Sequence, residues 1–279
     1  PKRYVTDYLT DEAEKAIEAN RKQPFFLYLA YTAPHTPLQA TKEDYEALSH
    51  IEDHTLRVYA AMVRNLDRNI GRVLQTLKDK GLDDNTLVIF TSDNGGAHYV
   101  GLQDLNKPYR GWKATFYEGG VRVPFFMKWP QGLPRQVSYQ QPISHLDIFA
   151  TALAAAHAAP PEGKVLDGVN LLPFAQGLNT LAPHEQLFFR TGTYLALRQG
   201  DWKLQVMERP KQDLLYNLAA DPTERNNLAS QEPQRLADMK KRLATLNAQQ
   251  IKPLWPSLAE APISFVRVPA RLRNPPADA

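Results

Sequence analysis

The chain has 279 residues, 43% hydrophobic and 23% charged, the balance of a globular protein of one large domain or two smaller ones. Its 33 basic and 30 acidic residues leave a net charge of +3, too even to point to nucleic acid. There is no cysteine, which excludes disulfides, zinc–thiolate sites and a cysteine nucleophile within these residues; no apolar run reaches the length of a membrane span.

The opening "PKRYVTDYLTDEAEKAIEANRK" reads as a polar amphipathic helix with Thr10 as its N-cap. It shows no signal peptide, and a chain that begins so near a helix without Met is expected to be a piece of a longer one. Phe25 to Tyr31 is a continuous apolar run, the pattern of a strand buried on both faces. It ends at Pro34-His35-Thr36-Pro37, where two prolines force a loop. Residues 53–80 read as one long helix, with Leu56, Val63, Ile70 and Leu77 every seven residues and Gly81 as its stop. Asp67 among these positions is expected to bond locally. The strand Thr86 to Thr91 follows, so strand, helix and strand suggest a right-handed crossover in a parallel sheet.

After "SDNGG" comes a long aromatic-rich segment to Gly120, then the apolar run "VRVPFFMKWP" and a helix in "ISHLDIFATALAAAHA". Loops of that length are functional or disordered, and Tyr109, Trp112, Phe116 and Tyr117 argue against disorder. From about Leu181 short alternating strands appear, with a Gly200-Asp201 hairpin turn, then a surface helix in "QEPQRLADMKKRLATLNAQQ". The end, from Ile251, carries six prolines and is expected to wrap as extended coil.

Ligands of open parallel sheets sit beyond the carboxyl ends of the strands. His35 follows one such end, Asp93 and Asn94 another. Asp93 and Asn94 offer hard oxygens that suit Ca²⁺ or Mg²⁺; equally, they could simply make a turn. Lys113, isolated among aromatic and small residues, either meets an anion or is a solvated loop lysine. His98 could line a pocket or lie on the surface. Arg110 and Lys107 could meet an anionic substrate or water. Glu118 could cap a turn or pair with Arg122.

Five stretches resemble the type I sulfatases of the alkaline phosphatase superfamily, in that family's order. They are "FFLYLAYTAPHTPLQ", "TLVIFTSDNGG", "YRGWKATFYEGGVRVPFFMKWP", "SHLDIFATALAAA…LDGVNLLP" and "DWKLQ…LLYNLAADPTERNNLA", together covering about Lys22 to Ala229. The resemblance implies an α/β fold: residues 1–180 the later part of an alkaline-phosphatase-like mixed, mainly parallel sheet flanked by helices, residues 181–279 a small α+β subdomain with antiparallel strands, a helix and the Pro-rich tail. It implies that Asp93 and Asn94 are metal ligands, usually for Ca²⁺. It implies that His35 contacts the sulfate ester and Lys113 a sulfate oxygen, with His98 a weaker substrate-binding candidate. Asp221 and Glu118 look structural, as do His145 and Asp147.

The family attacks sulfur with a formylglycine made from the Cys or Ser of a C/S-x-P-x-R motif. Neither that motif nor the family's early pair of adjacent aspartates is present here. Both are therefore expected in a missing N-terminal segment. The implied activity is sulfuric ester hydrolysis on a sulfated carbohydrate or aryl sulfate, in the periplasm, outside the cell or in lysosomes. The alternatives are a phosphodiesterase or phosphonate hydrolase of the same superfamily, or a non-catalytic relative that binds sulfated glycans.

Overall fold

The structure, a computed structural model, describes residues 3–208, 210–254 and 271–273. Helix α1 (Val5–Asn20) is followed by β1 (Gln39–Thr41), α2 (Lys42–Glu46) and α3 (His54–Asp79). Next come β2 (Val88–Thr91), α4 (Glu118–Val121), β3 (Phe125–Lys128), α5 (Asp147–Ala155) and α6 (Leu172–Ala175). Strands β4 (Gln186–Thr191), β5 (Tyr194–Gln199), β6 (Trp202–Glu208) and β7 (Lys211–Asn217) precede α7 (Pro233–Ala248) and β8 (Arg271–Arg273).

Helix α1 starts earlier than the Thr10 cap predicts. Thr10 is buried inside it, its hydroxyl bonded to Thr6 O at 3.0 Å and to Tyr31 Oη at 2.7 Å. A threonine that can bond back four residues needs no helix end to satisfy it. Helix α3 begins where expected, with Asp53 accepting from Leu56 N at 2.7 Å.

The predicted heptad stripe of α3 is buried at its C-terminal end, at Leu77, but not at its start. Leu56 and Val63 are 40% and 41% exposed, whereas Val58, Ala61 and Met62 pack on Leu38 and Ala40. The next turns bury Asn65 and Asn69 rather than apolar residues. Asp44, fully buried on α2, accepts from Asn65 Nδ2 at 3.0 Å, from the Arg68 guanidinium at 2.6 and 3.0 Å, and from Arg64 and Thr41. Asp7 on α1 accepts from Asn69 at 2.7 Å. A hydrogen-bonded polar seam thus joins the three helices. Asp67 lies on the exposed side, and the bonding expected of it is done by Asn65 and Asn69.

Phe25 to Tyr31 is extended but joins no ladder among the described residues, and Phe26 and Tyr28 are 76% and 81% exposed. Strand β2 pairs antiparallel with β3, from Val88↔Lys128 to Thr91↔Phe125. No parallel crossover therefore closes between Phe25–Tyr31 and β2. Between them lies a cavity of about 2060 Å³, lined also by Leu66, Ile70, Val73, Leu74 and Leu77 of α3. Without a neighbour at strand spacing, roughly 4.8 Å, the run stays an extended segment.

The later part matches the sequence closely. Strands β4 to β7 form an antiparallel sheet in sequence order, and β5 turns into β6 through Gly200-Asp201, with Gly200 at φ 56°. That positive φ is what a two-residue hairpin turn of this kind needs. Met239 and Leu243 of α7 pack on Leu197, Leu204 and Leu215. Most of the proline-rich tail lies outside the described residues. Within it, β8 pairs parallel with β1, where only coil was expected.

Burial works against the charged form of Asp44, but the hydrogen bonds from Arg68, Thr41 and Asn65 outweigh it and hold its pKa below the usual carboxylate range. A depressed folded-state pKa stabilises the fold above the unfolded value and is lost as pH falls through the folded one. The urea midpoint should therefore drop below about pH 4, the unfolded aspartate range. Asp44→Ala should cost about 3 kcal/mol at pH 7, by stranding Asn65 and Arg68, and should flatten that acid step. Urea melts of both proteins between pH 3 and 7 decide this.

Candidate active site

Strand β2 stops at Thr91 and the backbone bends at once. Successive strand residues point to opposite faces, so Asp93 and Asn94 reach the same cavity only because the strand has ended. Asp93 Oδ1 accepts from Asn94 N at 2.9 Å, and Asn94 Nδ2 donates to Gly95 O at 3.0 Å, which turns the Asn94 amide oxygen away from that bond.

Gly95 then packs on α4 through bare backbone. Its N–H donates to Gly120 O at 3.0 Å. A Cβ on Gly95 would fall 1.8 Å from Gly119 O, and one on Gly120 2.1 Å from Thr115 O. The two glycine pairs let the turn carrying Asp93 and the loop carrying Lys113 touch directly.

His35 and Lys113, 78 positions apart, meet at this cavity: Lys113 Nζ lies 3.5 Å from His35 Nε2. His35 Nδ1 donates to Thr36 O at 2.7 Å. In the neutral ring that leaves the Nε2 lone pair toward Lys113. Lys113 Nζ also donates to Tyr99 Oη at 2.6 Å and sits 4.8 Å from that ring's centroid. The site thus brings together a carboxylate, an amide, an ammonium, an imidazole and a phenol.

Tyr99 is absent from the sequence-based candidates; nothing in "AHYV" distinguishes it from a surface tyrosine. His98 stacks on Trp112, with centroids 5.7 Å apart and planes at 17°, and does not belong to the cavity lining, which takes Tyr99 instead. Adjacent residues on a 3₁₀ turn diverge by about 120°, so only one of the two can face the cavity. Lys107 pairs with Asp104 at 2.8 Å, and Arg110 donates to Glu224 O at 3.0 Å. His145 reaches Thr91 Oγ1 at 3.0 Å. Fully buried Asp147 accepts from Ser144 N, Val169 N and His184 Nε2 at 2.7 to 2.9 Å, a structural clip.

Behind the Lys113 loop is a buried charged cluster that sequence reading missed. Lys203 Nζ lies 2.8 Å from Glu118 Oε1 and 3.0 Å from Glu224 Oε1. Burial pushes the Glu224 carboxyl above its usual range, against the pull of Lys203. One signal was available: Lys203 and Gln205 alternate with the α7-facing Trp202, Leu204 and Val206 of β6, so a central strand presents two polar residues to its other side.

Residues 1–158 match the family model for sulfatases, and residues 110–249 that for the C-terminal part of N-sulphoglucosamine sulphohydrolase. The chain belongs to the sulfatase family. It is 40% identical over 193 residues to the uncharacterized sulfatase YdeN of Escherichia coli, covering 68% of this chain and 34% of that protein. It is 30% identical over 269 residues to the N-acetylgalactosamine-6-O-sulfatase of Bacteroides thetaiotaomicron, covering 88% and 51%. The solved structure of Ps i-CgsB superposes with a TM-score of 0.83 at 32% identity, covering 92% of this chain and 58% of that one. The chain thus spans between a third and three-fifths of these relatives' lengths. Its fold is the mixed α/β, alkaline-phosphatase-like fold of these structures, with the antiparallel sheet in its later part.

The close packing at Gly95 has a measurable consequence. Gly95→Ala should lower stability by about 3 kcal/mol, because the obstructing atom is a backbone oxygen that cannot swing away. Gly71→Ala, in α3 with nothing within 4 Å of a built Cβ, should instead raise it by about 0.5–1 kcal/mol. Thermal melts of the two variants should move in opposite directions.

Proposed function

We propose that this chain is the later part of a sulfuric ester hydrolase and carries the half of its active site that binds and polarises the sulfate group. The observation that supports this most directly is the meeting of Lys113 and His35 at the cavity that Asp93 and Asn94 also line. In a solvated-loop reading there is no reason for these residues to converge.

Cleavage of a sulfate ester at sulfur builds negative charge on the sulfuryl oxygens and on the departing oxygen. Lys113 offsets the first if it is fixed beforehand, and its bond to Tyr99 fixes it. As the imidazolium, with Nδ1 held by Thr36 O, His35 would hand the proton on Nε2 to the departing oxygen. Asp93 and Asn94 fit one side of a Ca²⁺ or Mg²⁺ site: both are hard oxygen donors at a turn, but together they carry a formal charge of only −1. Among the described residues no cluster of three or more His, Cys, Asp or Glu surrounds them, so the remaining ligands would come from elsewhere. A cation held there would add positive charge against the sulfuryl oxygens.

The attacking group, a formylglycine in the family's pattern, would be supplied by polypeptide outside these 279 residues, together with the remaining cation ligands. Such a segment would fit the cavity between Phe25–Tyr31 and β2, where an apolar stretch faces a strand edge that is unpaired among the described residues. Trp129 Nε1, buried on its lining, has no hydrogen-bond partner among the described residues.

A sulfated carbohydrate is the favoured substrate. Ps i-CgsB is described in complex with k-i-k-neocarrahexaose. Aromatic residues beside Lys113 offer faces for a sugar ring. A periplasmic, secreted or lysosomal location goes with this reading, and no described helix is long and apolar enough to cross a membrane. A phosphonate monoester hydrolase shares the fold at 20% identity, which speaks to architecture alone.

The purified 279-residue chain should bind Ca²⁺ no tighter than millimolar by calorimetry and should not turn over 4-nitrophenyl sulfate. Metal-dependent turnover by the chain alone would mean that it holds an unrecognised nucleophile. In a longer polypeptide that includes a C/S-x-P-x-R segment, Lys113→Ala should cut kcat about a hundredfold. An unaltered rate in that variant removes Lys113 from the site.

A further inference from the structure

We infer that Glu224, far from the cavity in sequence and outside its lining, is a positioning residue for Lys113; the inference rests on the sulfatase reading above. Glu224 is fully buried and adopts φ 56°, a left-handed conformation that residues other than glycine, asparagine and aspartate seldom take. An outlier of this kind persists only where its surroundings enforce it, and such outliers gather at functional sites.

In this conformation Glu224 meets one loop twice. Its carboxylate Oε2 accepts from Glu118 N at 2.5 Å, and its carbonyl oxygen accepts from Arg110 Nη1 at 3.0 Å. Arg110 and Glu118 bracket the loop that carries Lys113. A third tether reaches the middle of that loop: Phe116 N donates to Tyr194 Oη at 2.9 Å, Tyr194 donates to Gln205 Oε1, and Gln205 Nε2 donates to Glu224 Oε1 at 3.2 Å. Lys203, 1% exposed, balances Glu118 and Glu224 together.

The Glu224 turn is itself held firmly. Asp221 accepts from Arg225 N at 2.6 Å and from Asn226 N at 2.8 Å, and Glu224 N donates to Asp221 O at 3.2 Å. From Glu118 the path continues to Gly120 O and on to Gly95 N, so the Asp93 turn hangs on the same support. The sheet that carries no cavity residue therefore sets where the cavity's ammonium stands. Among the described residues, Tyr99 and His35 steady the tip of Lys113. A loop displaced by about 1 Å would misplace the ammonium for a tetrahedral anion.

A merely structural Glu224 would lower stability and leave the folded protein's anion affinity alone, so affinity is the discriminating readout. Inorganic sulfate is titrated calorimetrically into the whole chain well below its melting temperature, at fixed ionic strength. The proteins compared are the unaltered chain, Lys113→Ala, Glu224→Ala, Glu224→Gln and Leu215→Ala. Leu215→Ala opens the core under α7 without touching the Lys113 loop. Lys113→Ala and Glu224→Ala should each weaken sulfate binding about tenfold or more, and Glu224→Gln, which keeps one acceptor oxygen, by less. Leu215→Ala should melt earlier yet bind sulfate as the unaltered chain does. If Glu224→Ala does not fold, a loss of affinity in Glu224→Gln carries the inference. Glu224 variants that bind normally while Lys113→Ala does not would overturn the positioning role and leave the site reading intact. Weakened binding in Leu215→Ala as well would also overturn it, since any loosening of the sheet would then suffice. No sulfate binding by the unaltered chain, or normal binding by Lys113→Ala, sinks the site reading and the positioning role together.

Discussion

Backbone packed directly on backbone is the constraint from which the site follows. Gly95 lies so close to Gly119 and Gly120 that no side chain fits, and a single hydrogen bond, Gly95 N to Gly120 O, spans the contact. Through it the turn that presents Asp93 and Asn94 and the loop that presents Lys113 become one rigid unit. Side chains that reach one cavity from separate loops need this kind of fixing, because flexible groups on independent loops would lose the geometry to entropy.

That unit has two different neighbours. On one side the buried trio Glu118, Lys203 and Glu224 binds it to the antiparallel sheet. Two carboxylates and one ammonium out of water are costly unless every lone pair finds a donor, and here Glu118 N, Gln205, Arg198 and Arg122 lie close enough to share the load. On the other side the unit opens onto a cavity walled by exposed apolar chain. Exposed Phe26 and Tyr28 and a β2 edge unpaired among the described residues are features a stable surface avoids. The firm side and the open side meet at Lys113 and His35.

Much of this was legible in the sequence. The helix His54–Asp79 announced itself by its length and its Gly81 stop, and the Gly200-Asp201 hairpin by its turn residues. These signals are local: a cap, a turn and a period are written within a few residues. His35, Asp93, Asn94 and Lys113 became candidates through their order among recognisable stretches, and the fold brings all four to one cavity. The strand predicted at Phe25–Tyr31 failed for the opposite reason. A strand needs a partner, and an apolar run cannot say whether one is present.

Residue order alone is enough to read the family, the elements with strong local signals and the residue types that face the cavity. It took the folded chain to show that Tyr99 rather than His98 turns to Lys113, that Asn65 and Asn69 are buried while Leu56 and Val63 are not, and that Glu224 underpins a loop more than a hundred residues earlier. Each of these depends on which groups meet across long separations in the chain. A buried polar residue looks like a surface one until its partner is known, because only the partner offsets the cost of taking it out of water.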